Sequence, residues 1–552
     1  MRKQDFLHGS VILIISALIA KVIGAFFKIP LTNIIGGIGM SYFSGAYGLF
    51  LPIYAVFVTG LSAASAKLTA ENTVIYGIKG AKKVKKYALI NFSLIGIAGT
   101  LLLIACSWPF SKYVIGDKNV FISMLIISPS VFFSCITAAY RGYFEGLRNM
   151  YPTALSQVAE GAAKLIAGLV MCSYVLSNEE FFMNKFAGIC DDRYALAAAG
   201  AVAGVTLSSF AGMLYMILSD FFLKDPASDK GYLPESKMKS GHEFTRSLIK
   251  IIIPIAAGAL ITNLTSLVDL ATIIRYTGRS IKNNYDYYIM RYGFIRDIGA
   301  DNFASFLYGS FNGLAVTVFN LVPSVTNMFG KSILPSFTEA WTKKNHNELQ
   351  KNAEAVLSVT GMISIPAALG ILVLSKEILL FLFPSAVNEA EAAYQGLAFL
   401  APGIALLSLS FPVFSMLQAT GREDLPAKIT AVGAAVKLAG NMIFINIKEL
   451  NAAGAGIATT LCYGVIFFIS MYKLAKHTGV SINYLRIFIK PLFAGVLCMA
   501  SARLANDLMS GYLSQPVTLV CAIATGATVY AVSVYCLKKT QDNGKKVTCF
   551  TL

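Results

Sequence analysis

Charged residues make up only 14% of this 552-residue chain, tryptophan occurs twice and histidine four times. An ordinary soluble domain carries about a quarter of its residues charged, so a soluble globule is excluded. The histidines (His8, His242, His346, His477) lie far apart, and the nine cysteines show no C-x-x-C spacing. Neither a metal centre nor a disulfide framework is therefore expected. No Walker phosphate loop and no G-x-S-x-G elbow occurs, which argues against an internal ATPase and a serine hydrolase. No segment is large and basic enough to form a soluble nucleic-acid-binding domain, so no nucleic-acid partner is expected. The chain reads as a carrier and not as an enzyme.

Apolar residues are abundant, at 56% of the chain with a mean hydropathy of +0.64. Apolar stretches of about 20 residues recur from end to end, which is the signal of transmembrane helices. The expected fold is all-α and polytopic, with about fourteen spans, the first near 7–28 and the last near 516–537. The first apolar run is too long for a cleavable signal, so that helix is expected to be retained. The clusters Lys79, Lys82, Lys83, Lys85, Lys86 and Lys538, Lys539, Lys545, Lys546 fall on the same side as the N-terminus. By the positive-inside rule both termini are cytoplasmic. Much of the +17 net charge is thus topogenic and favours an anionic leaflet.

The longest polar stretch divides the chain into a six-helix lobe (1–223), a cytoplasmic linker (224–247), a second six-helix lobe (248–474), and two extra helices with a basic tail (475–552). The lobes echo each other. Gly146-Leu-Arg148 and Pro152 lead into Lys164 and Gly168; Gly421-Arg422 and Pro426 lead into Lys437 and Gly440. Corresponding spans run in the same direction, as expected of a parallel repeat about an axis along the membrane normal.

The few charges inside spans are the candidate functional groups, because ionised side chains at membrane depth are costly and commonly mark a substrate path. Lys21 and Lys28 are seven residues apart in the first span, on one helical face and roughly 10 Å apart along the axis. Such a cationic stripe suits an anionic passenger. The alternative is that Lys21 pairs with a carboxylate and Lys28 reaches the interface. Glu160 and Lys164 stand in the order of an i,i+4 ion pair; otherwise Lys164 grips phosphate and Glu160 exchanges a cation or proton. Lys437 has no acidic neighbour on its own helix and needs a counter-charge from another span or from a ligand. Asp269 is a candidate partner for Lys21 or Lys28. Arg141 and Glu145 are candidates for the inner gate, with Gly142 and Gly146 allowing a tight turn there. The basic segment holding Arg275, Arg279, Lys282, Arg291 and Arg296 is expected to be a solvated loop balanced by Asp286, Asp297 and Asp301.

The opening Lys21-Val-Ile-Gly-Ala-Phe-Phe-Lys28-Ile-Pro30, the turn Arg141-Gly-Tyr-Phe-Glu-Gly146 with Pro152, and the fourteen-span plan together resemble one family. It is that of the bacterial polysaccharide-biosynthesis transporters of the SpoVB and MurJ type, in the multidrug/oligosaccharidyl-lipid/polysaccharide exporter superfamily. The resemblance implies two lobes around a cationic cavity, working by alternating access in the bacterial cytoplasmic membrane. It also implies a lipid-linked anionic glycan precursor as cargo, lipid II in the MurJ branch, with Lys21 and Lys28 on the pyrophosphate. Residues 308–320 carry no basic residue where MurJ proteins carry an arginine, which leaves other lipid-linked glycans open. No cofactor is expected; coupling to the membrane potential, Na+ or H+ is, and the protein is expected to act as a monomer. The rivals are a multidrug/cation antiporter of the same fold, a non-transporting scaffold, and a glycan polymerase or ligase.

Overall fold

The computed structural model describes residues 6–223, 241–480, 482 and 485–549. All regular structure among the described residues is helical. The described residues form two compact units, Met1–Ala271 and Thr272–Leu552. The expected linker falls largely on residues 224–240, which lie outside the described residues.

Twelve helical stretches are long and apolar enough to cross a membrane, against about fourteen expected. The difference arises in the first stretch, Ile15–Ile115, which is 101 residues long. Straight, it would extend roughly 150 Å, five times the thickness of a bilayer core. It does not run straight, because glycine bends it. Helix α1 (Phe6–Phe57) breaks at Gly36, with φ 62°, and α2 (Leu61–Phe110) at Gly77, with φ 70°. Both are left-handed conformations that cost glycine little. The rings of Phe27 and Phe43 are 5.9 Å apart, although 16 positions along the chain would span roughly 24 Å of straight helix. Helix α1 therefore folds back on itself at Gly36.

The first unit continues with α3 (Val120–Ile127), α4 (Pro129–Gly146), α5 (Tyr151–Ser177), α6 (Glu179–Lys185) and α7 (Arg193–Phe222). Small residues set how closely these helices pack, as is usual where lipid removes a hydrophobic drive between helices. A Cβ on Gly204 would lie 2.2 Å from Gly168, so α7 meets α5 backbone to backbone. A Cβ on Gly142 would lie 2.4 Å from the Ser65 Cβ, and one on Gly146 2.5 Å from that of Thr69. These two glycines therefore seat α4 on α2; Gly146 ends the helix, and the tight turn expected there follows at Leu147 and Arg148, with Arg148 as its left-handed residue. Asp192 caps α7, accepting from the amides of Tyr194 (2.7 Å) and Ala195 (3.2 Å), and also accepts from the buried Tyr42 hydroxyl of α1 (3.1 Å). The start of α8 (Gly241–Asn283) docks on α2 through Thr245, which donates to Asn91 (3.1 Å), and through Phe244 stacked on Tyr87.

The second unit opens with the short helices α9 (Tyr285–Arg291) and α10 (Ile295–Ile298), then α11 (Ala300–Ser310), α12 (Val316–Thr342), α13 (His346–Val373) and α14 (Ser375–Leu382). It closes with α15 (Val387–Ala419), α16 (Asp424–Phe444), α17 (Gly454–Thr478), α18 (Lys490–Met509) and α19 (Gln515–Cys549). Packing repeats in kind: Gly440 of α16 brings Ala458 of α17 close, as Gly168 of α5 brings Gly204 of α7. The turns before α5 and α16 differ in detail, since the left-handed residue is Arg148 in one and Gly421 in the other. The two additional helices, α18 and α19, pack on each other and on α13, where the Tyr530 hydroxyl donates to the Met362 carbonyl at 2.9 Å.

In the segment expected to be a solvated basic loop, Arg275, Arg279, Lys282 and Arg296 are exposed as expected, but the segment is largely helical and Arg291 is built into the second unit. Arg291 donates to the Tyr287 hydroxyl (2.9 Å), to Gln395 (2.6 Å) and to the Glu449 carbonyl. Tyr288, Tyr292 and Phe303 are buried beside it. Aromatic burial, which charge counting along the sequence does not register, orders this stretch.

Candidate functional site

In the first unit the fold-back at Gly36 and the small residues of α5 create one cationic site. The Phe27 ring occupies the space left by Gly168, where a Cβ would approach it to 2.5 Å. One turn earlier on the same face of α5, the Lys164 ammonium lies 5.0 Å from the centre of the Phe27 ring. It lies 5.5 Å from the ring of Tyr47, which arrives from the returning limb of α1. Cation–π attraction of this kind stabilises an amine without neutralising it. Phe43 and Phe50 flank Tyr47, extending the aromatic wall.

Lys28 follows Phe27 and is half-buried, close enough to Lys164 for the two charges to repel. Neither lysine forms an ion pair among the described residues. Two half-buried amines within electrostatic reach of each other, Lys164 lying over two aromatic rings, form a site short of negative charge. Lys21, two turns earlier on α1, is exposed. The structure thus joins Lys28 to Lys164, a pairing across two helices that spacing along α1 did not suggest.

Glu160 does not pair with Lys164. Its Oε1 accepts from Arg141 Nη2 at 2.8 Å, and Arg141 Nε donates to the Ser156 hydroxyl at 2.9 Å. Ser156 and Glu160 are one turn apart on α5, so a single guanidinium from α4 spans both; its planar fork suits such a bridge. Gly212 of α7 makes room for the carboxylate, since a Cβ there would lie 2.0 Å from Glu160 Oε1. Arg141 thus clamps α4 to α5, where a helix-end role at the membrane surface would equally have explained an arginine there. Glu145, one turn after Arg141, accepts from the Ser62 hydroxyl of α2 at 3.3 Å. Ser16 of α1 donates to Gln157 of α5 at 3.1 Å, fixing the first limb of α1 along the same face.

Asp269 is half-buried in α8. In the second unit Lys437 is 4% exposed on α16, one turn before Asn441, which donates to the Thr272 hydroxyl at 2.8 Å. Among the described residues no group of three or more His, Cys, Asp or Glu side chains is arranged to hold a metal ion.

The residues missed from the sequence are Phe27, Tyr47 and Gly212. A signal for Gly212 was present: Gly200, Gly204, Ser208 and Gly212 recur every fourth residue, the small-residue stripe of a close helix contact. No local pattern signals Phe27 or Tyr47, because their convergence depends on the bend between them.

Residues 6–341 match the family described as Polysaccharide biosynthesis protein. The chain belongs to that family. Residues 302–520 match a second family, described as Lipid II flippase MurJ. Stage V sporulation protein B of Bacillus subtilis is 22% identical over 539 residues, covering 96% of this chain and 95% of that protein. Lipid II flippase MurJ of the same organism is 21% identical over 556 residues, covering 97% and 95%. A solved structure, "Lipid II flippase MurJ, inward closed conformation", superposes with a TM-score of 0.66 at 14% identity, over 96% of this chain and 99% of that one. At that identity the structural likeness establishes the fold. This polysaccharide biosynthesis protein is thus a multi-pass membrane protein of the MurJ/SpoVB type, in the superfamily named above.

Proposed function

We propose that the protein flips an undecaprenyl-pyrophosphate-linked cell-wall glycan precursor, most specifically lipid II, from the cytoplasmic to the outer leaflet by alternating access. The observation that carries this reading is the Lys28–Lys164 pair, two amines without a carboxylate, of which Lys164 lies against an aromatic wall. A diphosphate near −2 supplies the missing charge through charge-assisted hydrogen bonds. The half-buried Tyr47 ring offers a face to the first sugar or to the lipid's allylic end. Lys21 meets the head group first, and Lys437 is the second unit's own candidate for binding an anion. Carriage requires no bond to be made or broken, so no catalytic residue is assigned. The protein acts as a monomer in the bacterial cytoplasmic membrane with both termini inside. Moving one charge through the membrane potential is worth roughly 2.3 kcal/mol per 100 mV, enough to bias return of the carrier; Na+ or H+ coupling would act through Glu160 or Asp269.

Complementation tests the reading. A strain depleted of its own lipid II flippase should grow when this chain is expressed, and should fail with the Lys28→Ala/Lys164→Ala variant present at equal abundance in the membrane. Rescue of a sporulation or capsule defect, with no rescue of growth, would move the cargo to another lipid-linked glycan.

A further inference from the structure

At the end of the two additional helices the second unit contains a cavity of about 550 Å³, lined by residues of α14, by Val387 at the start of α15, and by the ends of α18 and α19. That volume lies within the range of small-ligand sites. Its walls are unlike in chemistry. Phe381 and Val387 are apolar and exposed; Glu377, Arg503, Asn506 and Asp507 are polar.

The polar residues form an incompletely neutralised network. Arg503 Nε donates to Asp507 Oδ2 at 3.0 Å, and Arg503 Nη1 donates to Glu377 Oε1 at 3.2 Å. Asn506 Nδ2 donates to the same Glu377 oxygen at 3.4 Å. Two carboxylates thus share one guanidinium and retain acceptor capacity, since each ionised carboxylate has about four lone-pair sites. The nearby Lys376 is held by Glu391 at 2.6 Å. Among the described residues Arg503 Nη2 donates to nothing. The cavity therefore offers acceptors for a cation and, beside them, donors for an anion.

Its surroundings supply the location. Helices α18 and α19 are both apolar enough to cross a membrane, and the cavity lies where one turns into the other. Leu504, Leu508 and Tyr512 are exposed around that turn, the mixture of apolar and aromatic groups found at a membrane–water interface.

We propose that this cavity binds a phospholipid with a primary-ammonium head group of the phosphoethanolamine type. The ammonium is held by Glu377 and Asp507, the phosphate by Arg503 Nη2, and the upper acyl chain runs along Phe381 and Val387. The inference does not depend on the glycan cargo. Its readout is lipid retention, whereas the cargo is tested by complementation.

Native mass spectrometry of the full chain, released from nanodiscs of equal phosphatidylethanolamine, phosphatidylglycerol and phosphatidylcholine, tests it. Wild-type protein should retain phosphatidylethanolamine roughly tenfold over either competitor, the discrimination expected of a charge-assisted contact. The Glu377→Gln/Asp507→Asn variant should lose that preference. Val387→Trp, which fills the mouth without touching the network, should lose the lipid while remaining folded. Equal retention of the three lipids, or a preference surviving in both variants, would overturn the proposal. Displacement of the lipid by an equal concentration of free phosphoethanolamine would overturn its assignment to a lipid.

Discussion

Two amines, Lys28 and Lys164, and one clamp, Arg141–Glu160, account for most of the charge that the first unit holds inside its spans. They do different work and should fail differently. On the proposed function, removing either amine takes away one charge-assisted contact to an anionic head group, while the aromatic rings and helix packing remain. Lys28→Ala and Lys164→Ala should each weaken binding of a lipid diphosphate roughly ten- to hundredfold, with an unchanged unfolding midpoint. Binding to the purified protein and thermal unfolding in detergent check the two halves of that statement. Gly212→Ala should act the other way. Its methyl group would collide with Glu160 Oε1, forcing the carboxylate from Arg141. Breaking a mostly buried ion pair costs about 3 kcal/mol, so thermal unfolding should shift downward measurably, and Gly212→Ser should not rescue it.

Helix pairs reveal what spacing could and could not convey. The Gly142/Gly146 pair was visible in the sequence beside a turn, but its packing role was not: four residues apart on α4, the glycines face α2 along one stripe, where they admit Ser65 and Thr69. Gly142→Leu should therefore destabilise the first unit by overpacking, by about 1–3 kcal/mol or more, detectable as loss of folded protein on size-exclusion chromatography. The loop pair Lys118–Asp191, at 2.5 Å, joins the start of α3 to the residues before α7. Hydrogen bonding to Asp191 raises the Lys118 amine above its usual value, and the same bond lowers the Asp191 carboxyl. The carboxyl's contribution is present above the unfolded aspartate value and is lost as pH falls through its lowered folded value. The amine's contribution is present below the unfolded lysine value and is lost as pH rises through its raised one. Between about pH 5 and 9 neither group titrates, and both side chains are half exposed. Lys118→Gln should accordingly leave the pH profile of unfolding unchanged across that window, as a pH series of melting curves would register.

For the molecule as a whole, composition already required a membrane, and periodicity required helices. Scarce charge and recurring apolar runs admit few other solutions, because in lipid every backbone group must be bonded within its own segment. The cationic character of the first span was equally legible, since a lysine in an apolar run is an anomaly in any fold. The continuity of the first three spans in one bent helical stretch was not, because the left-handed glycines Gly36 and Gly77 turn the chain without a loop. Nor were the partners of the buried charges. Glu160 had a lysine at the favourable spacing on its own helix and took an arginine from α4, because Gly212 opens a notch on that side. The sequence by itself determined the solvent, the secondary structure and the sign of the candidate site, all of which follow from residue type and local period. Tertiary structure alone decided that Lys164 meets Phe27 and Tyr47 together, because contacts between distant residues depend on where a chain turns back, and Gly36 sets that through a single dihedral pair.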